Sequence, residues 1–178
     1  MSRLDQQASV SSDAVLTTTY ADDATVRGTG FVLKKNFSIG AGATVYFLID
    51  YTTYIPSPER LGLVYAMPPF FKATDGPVSV VIYRGTDYVA GATVLHLYNP
   101  NTLSAKTESA TTVTQGATGS NKGTAVLEYI IGGTGKGSGD DGGGSFFIRP
   151  NTGKTLIEVT NSATGTVTFN WFQELFEI

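Results

Sequence analysis

The sequence predicts an all-β protein, an antiparallel β-sandwich of jelly-roll-like form with an extended N-terminal arm. Short runs rich in Val, Ile, Thr, Tyr and Phe recur between Gly, Pro, Asn and Asp, as in all-β domains. Few stretches place apolar residues at helical spacing over ten or more positions. With 21 Gly and 7 Pro in 178 residues, turns are frequent. About nine to ten strands joined by short loops fit two facing antiparallel sheets.

The arm comprises residues 1–24, and residues 25–178 form one β-sandwich domain because no compositional break divides them. The arm is rich in Ser, Thr, Asp and Gln, with one short apolar run at residues 14–16. Two interpretations remain open: a disordered terminus, or an arm that orders on a neighbouring subunit. The first two predicted strands are residues 25–33 and 44–53. The second is apolar on both faces, which indicates a central, covered strand.

Prolines and glycines separate the later strands. Pro56 and Pro58 exclude the segment between the second and third strands from a hydrogen-bonded ladder. The remaining predicted strands, each a short run of apolar or alternating residues, are 61–67, 78–83, 92–98, 111–114, 124–131, 145–149, 154–160 and 165–172. In the last of them Val167, Phe169 and Trp171 are predicted to point inward, with aromatic side chains filling the core between the sheets.

Composition excludes several classes of protein. With no Cys there is no disulfide framework or thiolate metal site, and a single His excludes His-cluster zinc. A formal net charge of −3 disfavours nucleic-acid binding, which normally requires a basic surface. No apolar run approaches the roughly 18 residues of a membrane span, and the N-terminus lacks a secretory apolar region. We therefore expect no nucleic-acid or membrane partner.

Candidate chemical sites are weak. The glycine-rich segment 132–144 contains G-x-G-x-x-G at Gly137, Gly139 and Gly142, but it precedes a predicted strand rather than a helix. It is interpreted as a surface loop, and the oxygen ligands that Asp140 and Asp141 would need for calcium are not specified. His96 is interpreted as a hydrogen-bonded structural residue.

The acids also carry no marked catalytic pattern. Asp50, Glu128 and Glu158 lie in predicted strands, and the last two are interpreted as solvent-facing charges that alternate with apolar residues. We expect no catalytic residue, cofactor or metal ion. Tyr residues near strand ends leave two interpretations open, sheet packing or an interface with a sugar or protein: Tyr51, Tyr54, Tyr65, Tyr83, Tyr88 and Tyr98.

Both chain ends carry apolar residues suited to contacts. The apolar C-terminal end prefers burial in its own sheet or against a partner, worth roughly 1.5–3 kcal/mol per large side chain. The candidate interface residues, drawn from both ends, are Leu4, Val10, Val15, Leu16, Tyr20, Phe172, Leu175, Phe176 and Ile178.

An ordered series of short motifs runs from about Pro77 to the C-terminus. The motifs are Val80-Val81-Ile82-Tyr83-Arg84-Gly85, Gly91-Ala92-Thr93-Val94, Tyr98-Asn99-Pro100-Asn101, Gly123-Thr124 with Ile130-Ile131-Gly132-Gly133, Phe147-Ile148-Arg149-Pro150-Asn151-Thr152, Ile157-Glu158-Val159-Thr160-Asn161, and Trp171 with Glu174. In this order they resemble a family of small structural proteins of tailed-bacteriophage virions. Residues 1–76 carry no such match.

The resemblance implies a jelly-roll-like virion component, a capsid decoration (cement) protein on the capsid surface. Its partners would be the major capsid protein or other virion proteins, and a homo-oligomer, with a trimer favoured, is expected at the family level. A tail-fibre, receptor-binding or glycan-binding module is the alternative. A hydrolase on a β-sandwich scaffold is a third hypothesis, without a marked nucleophile or metal set.

Overall fold

A computed structural model describes residues 29–52, 64–66, 69–105, 108–132, 146–148 and 153–177. These residues form eleven strands and no helix. The strands are β1 (Gly30–Ile39), β2 (Thr44–Asp50), β3 (Val64–Ala66), β4 (Phe70–Thr74), β5 (Val78–Arg84), β6 (Thr93–Leu95), β7 (Thr112–Gln115), β8 (Thr124–Ile131), β9 (Phe146–Ile148), β10 (Lys154–Asn161) and β11 (Val167–Glu177). The protein is an antiparallel β-sandwich, as predicted.

The five-stranded sheet is organised around β11. β11 pairs along almost its whole length with β1, and its other edge pairs first with β4 and then with β3, which in turn pairs with β9. From Val167 to Leu175 the residues of β11 alternate between buried and more exposed positions, as a strand with one face on the core requires. Its last three residues are all buried. Every pair in this sheet is antiparallel.

The six-stranded sheet has the order β6-β7-β2-β10-β5-β8. β2 and β10 lie in its interior, and β10 pairs with both β2 and β5. Counted over the described strands, the chain passes between the two sheets six times, after β1, β2, β4, β8, β9 and β10. These crossings place consecutive segments in opposite layers and create the space that the core fills.

The core lies between the sheets and has an aromatic centre. Phe47 of the six-stranded sheet contacts Phe37 and Trp171 of the other sheet, with ring centroids 4.7 and 5.4 Å apart. Phe71 packs on Phe169 and on Trp171 at 5.2 and 5.8 Å. Val167, Phe169 and Trp171 are fully buried, so the predicted inward face of the last strand is confirmed.

Asn161 joins the crossing from β1 to β2 to the crossing from β10 to β11. Its buried Nδ2 donates to the carbonyl oxygens of Ile39 at 2.9 Å and Gly165 at 2.8 Å, and Gly40 lies within reach at 3.0 Å. Its Oδ1 accepts a hydrogen bond from the amide of Ala163 at 2.8 Å. One side chain thus satisfies backbone groups of both crossings that the ladders do not use.

Several elements of the structure differ from the predicted strands. β1, predicted to end at residue 33, continues to Ile39 because it pairs with β11 over its whole length, and β2 ends at Asp50 rather than at residue 53. β4 lies outside all of them, because its five residues fall between Pro68-Pro69 and Asp75-Gly76-Pro77, which indicate turns. The predicted strand 92–98 ends at Leu95, because the chain leaves the six-stranded sheet and Tyr98 bridges to Val32 of β1. β11 continues to Glu177 instead of ending at residue 172, because β1 and β3 flank its last residues.

Candidate functional site

Two loops lie on the outer face of the six-stranded sheet, residues 85–92 between β5 and β6 and residues 116–123 between β7 and β8. We call them the paired loops, since Val89 and Thr118 form a β-bridge between them. The Asp87 carboxylate accepts hydrogen bonds from the Ser120 hydroxyl at 2.6 Å and from the Asn121 amide at 2.9 Å. These hydrogen bonds hold the pKa of Asp87 below its usual value.

The paired loops cover a small second core. Tyr88 and Ala117, both buried, pack against Leu48 and Leu156 on the outward face of β2 and β10. The prediction that this face of β2 is covered is therefore confirmed, although the cover is a pair of loops rather than another sheet. Gly119 lies so close to the Tyr88 ring that a Cβ atom at that position would overlap it.

Beside this second core lies a group that we call the tyrosine–lysine cluster, made of Tyr46, Tyr83, Tyr88, Lys122 and Glu158. Lys122 pairs with the Glu158 carboxylate, and its Nζ lies 5.4 and 5.8 Å from the ring centroids of Tyr46 and Tyr83. The Tyr83 hydroxyl donates a hydrogen bond to Glu158 at 3.4 Å, and the Tyr46 and Tyr88 rings pack in a tilted arrangement with their centroids 5.4 Å apart.

The electrostatics of the cluster follow from its partial burial. The hydrogen bond to Glu158 raises the pKa of Lys122 against the opposing effect of desolvation. Burial and the neighbouring Glu158 charge raise the pKa of Tyr83. Both shifts favour a protonated cluster in which the cation and the carboxylate neutralise each other. The arrangement anchors residues 116–123 to the sheet, and both of its charged groups are engaged.

A second feature is the turn that follows Tyr98. The Asn99 side chain accepts a hydrogen bond from the Asn101 amide at 2.9 Å, and the Asn101 side chain accepts one from the Leu103 amide at 3.0 Å. The Ser104 amide donates to the Asn101 carbonyl at 3.1 Å. We call residues 98–104 the asparagine turn. Leu103, at its tip, is 95% exposed, and Tyr98 is 47% exposed.

The outer face of the five-stranded sheet carries a further apolar pair. Phe172 of β11 lies opposite Phe70 of β4, and both side chains are more than a third exposed. Lys34 of β1 lies opposite Phe172 on its other side and is also exposed. Since paired residues of antiparallel strands point to the same face, these three side chains form one row.

The predicted interface residues fall into three groups. Phe172 is exposed and belongs to the row formed with Phe70 and Lys34. Leu175 and Phe176 are buried within the body, so they prefer their own sheet to a partner. Burial of this end extends to Glu177, whose carboxylate accepts hydrogen bonds from Ser109 at 2.7 Å and from the Thr111 amide at 2.9 Å. The remaining candidates lie outside the described residues: Leu4, Val10, Val15, Leu16, Tyr20 and Ile178.

Other predicted positions are placed as follows. His96 is exposed, which differs from the structural role expected of it, because the strand ends at Leu95. Glu128 is exposed as predicted, whereas Glu158 is largely covered in its ion pair. The Asp50 carboxylate accepts a hydrogen bond from the Thr52 amide at 2.9 Å, in the turn that follows β2. The segment 133–145, with Asp140 and Asp141, lies outside the described residues.

Some of the tyrosines pack in the interior, and others lie at the surface. Tyr51 is fully buried, Tyr88 is buried under the paired loops, and Tyr98 is half exposed. Tyr54 and the side chain of Tyr65 lie outside the part of the chain that can be described. Sequence reasoning missed Lys122 as a structural feature, whereas Asn99-Pro100-Asn101 indicates a turn in the sequence, and the structure has one there.

Within the described ranges, no group of three or more His, Cys, Asp or Glu residues is arranged to hold a metal ion. Likewise, no helix formed by the described residues has the length and apolar character to cross a membrane. Comparison with known protein families, with curated proteins and with solved structures finds no match to this chain. The described residues thus place exposed apolar side chains, Leu103 on a turn and Phe70 with Phe172 on a sheet, at the surface of a β-sandwich.

Proposed function

We propose that this protein is a non-enzymatic structural component of a tailed-bacteriophage virion, a capsid decoration protein that binds the outer capsid surface and stabilises the particle. Its mechanism would be mass action, since a protein that binds only the assembled lattice stabilises that lattice. Each copy would bridge neighbouring capsid subunits through contacts that bury more than about 1,000 Å².

The strand order supports this proposal. One sheet has the order β1-β11-β4/β3-β9 and faces β2-β10-β5-β8 of the other sheet. Among the described strands, the chain passes between the sheets after β1, β2, β4, β8, β9 and β10. We infer from this order a jelly-roll path, a fold that occurs in viral capsid domains among others. β6 and β7 would then be an addition at the β2 edge. Since a fold hosts many functions, the order supports the class of protein and not the partner.

Several motifs of the resemblance contain residues with a clear structural role. Asn161, the last residue of Ile157–Asn161, supplies the hydrogen bonds that join two crossings. Trp171 forms the aromatic centre. Tyr98-Asn99-Pro100-Asn101 builds the asparagine turn. Motifs that specify a fold and a surface loop, rather than an active site, are consistent with a structural protein.

The observation that carries the proposal is the exposure of Leu103 on a turn whose backbone is held by three hydrogen bonds. An apolar side chain that is 95% exposed contributes little to folding, and a pre-organised turn loses little entropy when it binds. Exposed apolar side chains presented together mark interaction sites. Tyr98 and the Phe70–Phe172 row would extend this contact surface.

The test uses particles that lack the protein and purified variants added back. Leu103→Ser combined with Tyr98→Ser should lower occupancy at least tenfold, while Val94→Thr, a similarly exposed position on β6, should bind like the wild type. Deletion of residues 1–20 should leave a folded body with weaker particle binding. Wild-type occupancy by both the double variant and the truncated chain would contradict the proposed contacts.

The alternative, a tail or glycan-binding module, predicts a different copy number and a different ligand. Copies on the order of hundreds per particle favour decoration, and a dozen or fewer favour the tail. The Tyr46 and Tyr83 rings carry Lys122 on their faces, which leaves less ring surface for stacking on sugars. Glycan-array binding by the isolated protein, lost on Tyr98→Ala, would favour the alternative.

A further inference from the structure

The edges of the two sheets are protected to different degrees. Edge strands offer unpaired backbone groups to other chains, and proteins commonly protect them with lysines, short strands or covering segments. β1 carries exposed Lys34 and Lys35, and Tyr98 bridges its first residues. β6 has only three residues. β8 is the other edge of the six-stranded sheet, has eight residues, and contains neither Lys nor Pro.

Among the described residues, β8 pairs with β5 alone. The register shifts once, where Val126 forms a bulge opposite Ile82 and Tyr83, and from Leu127 to Ile131 the pairing is regular. A bulge increases the local twist, and it leaves Val126 outside the regular backbone pairing while its side chain stays exposed. Within the described part of the chain, five consecutive residues of this regular edge therefore have no strand on their other side.

The side chains on the outward face of this edge are apolar, acidic and apolar. Ile130 is 70% exposed, Val126 is 40% exposed, and Glu128 is exposed between them. Glu128 lies opposite Val81, and beyond Val81 lies Glu158, whose charge Lys122 already neutralises. Glu128 thus presents an acidic charge at the edge itself, without a described cation beside it.

This charge argues against a second copy of β8 as the occupant. An antiparallel pair of two copies over the regular part, Leu127–Ile131, is centred on Tyr129 and places each Glu128 opposite Ile130 without a cation, whereas a register centred on Glu128 places the two Glu128 carboxylates opposite each other. Like charges directly opposite each other destabilise a strand pair. A strand with a basic residue at the central position instead gains a cross-strand ion pair together with two apolar contacts.

We propose that the edge of β8 binds an extended strand of another protein, whose residues alternate apolar, basic, apolar toward the outer face. Binding would proceed by strand addition, in which backbone hydrogen bonds give affinity and the alternating side chains give specificity. Ile130 and Val126 would contact the apolar residues, and Glu128 would pair with the Lys or Arg. This inference concerns a different surface from the asparagine turn and does not depend on the virion proposal.

The test is a titration of the ¹⁵N-labelled full chain with the capped peptide Thr-Val-Thr-Lys-Thr-Ile-Thr and with its analogue that has Glu in place of Lys. We expect amide shifts confined to β8 and to the adjoining residues Ser79–Val81 of β5. The Lys peptide should bind roughly two- to fivefold more tightly than the Glu peptide, as one cross-strand ion pair allows. In Glu128→Lys this preference should reverse.

Glu174→Lys is the matched control, because it makes the same charge change at a partly exposed position on the other sheet. It should keep the wild-type preference for the Lys peptide. Absence of shifts on β8 at millimolar peptide, equal affinity for the two peptides, or a preference that reverses in Glu174→Lys as well would overturn the proposal. Concentration-dependent self-association of the wild type that Glu128→Gln strengthens would also overturn it, since the occupant would then be a second copy.

Discussion

Lys122 forms an ion pair with Glu158 across the outer face of the six-stranded sheet, although the two residues belong to a loop and to the central strand β10. The Lys122 side chain is 37% exposed and the Glu158 side chain 16%. The pair therefore joins a polar loop to the body at a site where water is partly excluded, and Tyr46 and Tyr83 flank the cation.

Lys122→Met should lower the free energy of unfolding modestly, by about 0.5–1 kcal/mol, because the pair is partly screened by solvent. The pKa of Lys122 is raised in the folded protein. The stabilisation from the Lys122–Glu158 pair is therefore fully present below the ordinary lysine pKa, and it is lost as the pH rises through the pKa that Lys122 has in the folded protein. Urea unfolding in a double-mutant cycle with Glu158→Gln measures the coupling, which should shrink in high salt. Lys72→Met, an exposed lysine on β4, is the control and should show no coupling to Glu158.

Tyr51 should make the protein less stable in alkali. Burial raises the pKa of Tyr51 to about 12, despite a hydrogen bond to Thr155 and the charge of Arg84, which lower it. The unfolded chain loses the tyrosine proton near pH 10, so between about pH 10 and pH 12 the folded state binds more protons than the unfolded state. Stability then falls by roughly 1.4 kcal/mol per pH unit from this group.

Tyr51→Phe should make this alkaline decline shallower, as measured by urea unfolding followed by circular dichroism at about pH 8, 10 and 11. At the lowest pH the variant loses the hydrogen bond to Thr155, at a cost of about 1 kcal/mol. Tyr98→Phe removes a hydroxyl from a half-exposed ring and should keep the wild-type profile. An identical alkaline slope in Tyr51→Phe would contradict the assignment.

Asn161→Leu should be strongly destabilising, by about 2–4 kcal/mol, since it removes the side-chain partner of the buried Ile39 carbonyl, the Gly165 carbonyl and the Ala163 amide. Leu has a similar volume, so the loss would come from hydrogen bonding rather than from a cavity. Thermal and urea unfolding measure the effect. Asn170→Leu is the control, because Asn170 lies on the outer face and its side chain makes one long hydrogen bond, of 3.4 Å, to the Lys72 carbonyl. An equally large loss of stability in Asn170→Leu would contradict the role assigned to the Asn161 hydrogen bonds.

Trp171→Ala should cost about 3–5 kcal/mol, because the side chain is buried and contacts Phe47 and Phe71 from both sheets. The hydrogen bond from Nε1 to Gln173 at 3.3 Å is lost with it. Phe172→Ala, one residue further on and facing solvent, should cost less than about 1 kcal/mol. If the two variants proved equally stable, Trp171 and Phe172 would not lie on opposite faces of β11.

Much of the body was predictable from alternation in the sequence. β8 runs from Thr124 to Ile131 as predicted, and the inward face of β11 was correctly assigned through Trp171. Period-2 patterns record which side of a strand faces an apolar layer, and that information is local. β4 escaped prediction because five residues between two proline turns carry too little pattern.

The candidate surfaces were less predictable. Phe172 and Leu175 look equally apolar in the sequence, yet one is exposed and the other is fully buried. Their positions on opposite faces of β11 became clear only once the strand was known to continue past residue 172. Lys122 lies in a polar loop, and nothing nearby in the sequence indicates that it meets Glu158, 36 positions later.

The sequence by itself determined that this chain forms strands, where most of them lie, and that Val167, Phe169 and Trp171 point into the core. Only the tertiary structure decided which strands lie at the sheet edges, how loops cover the outer face, and why Leu103 and Ile130 stay exposed. The reason is physical: alternation specifies a face relative to its own strand, whereas neighbours, edges and cover depend on contacts between segments far apart in the chain.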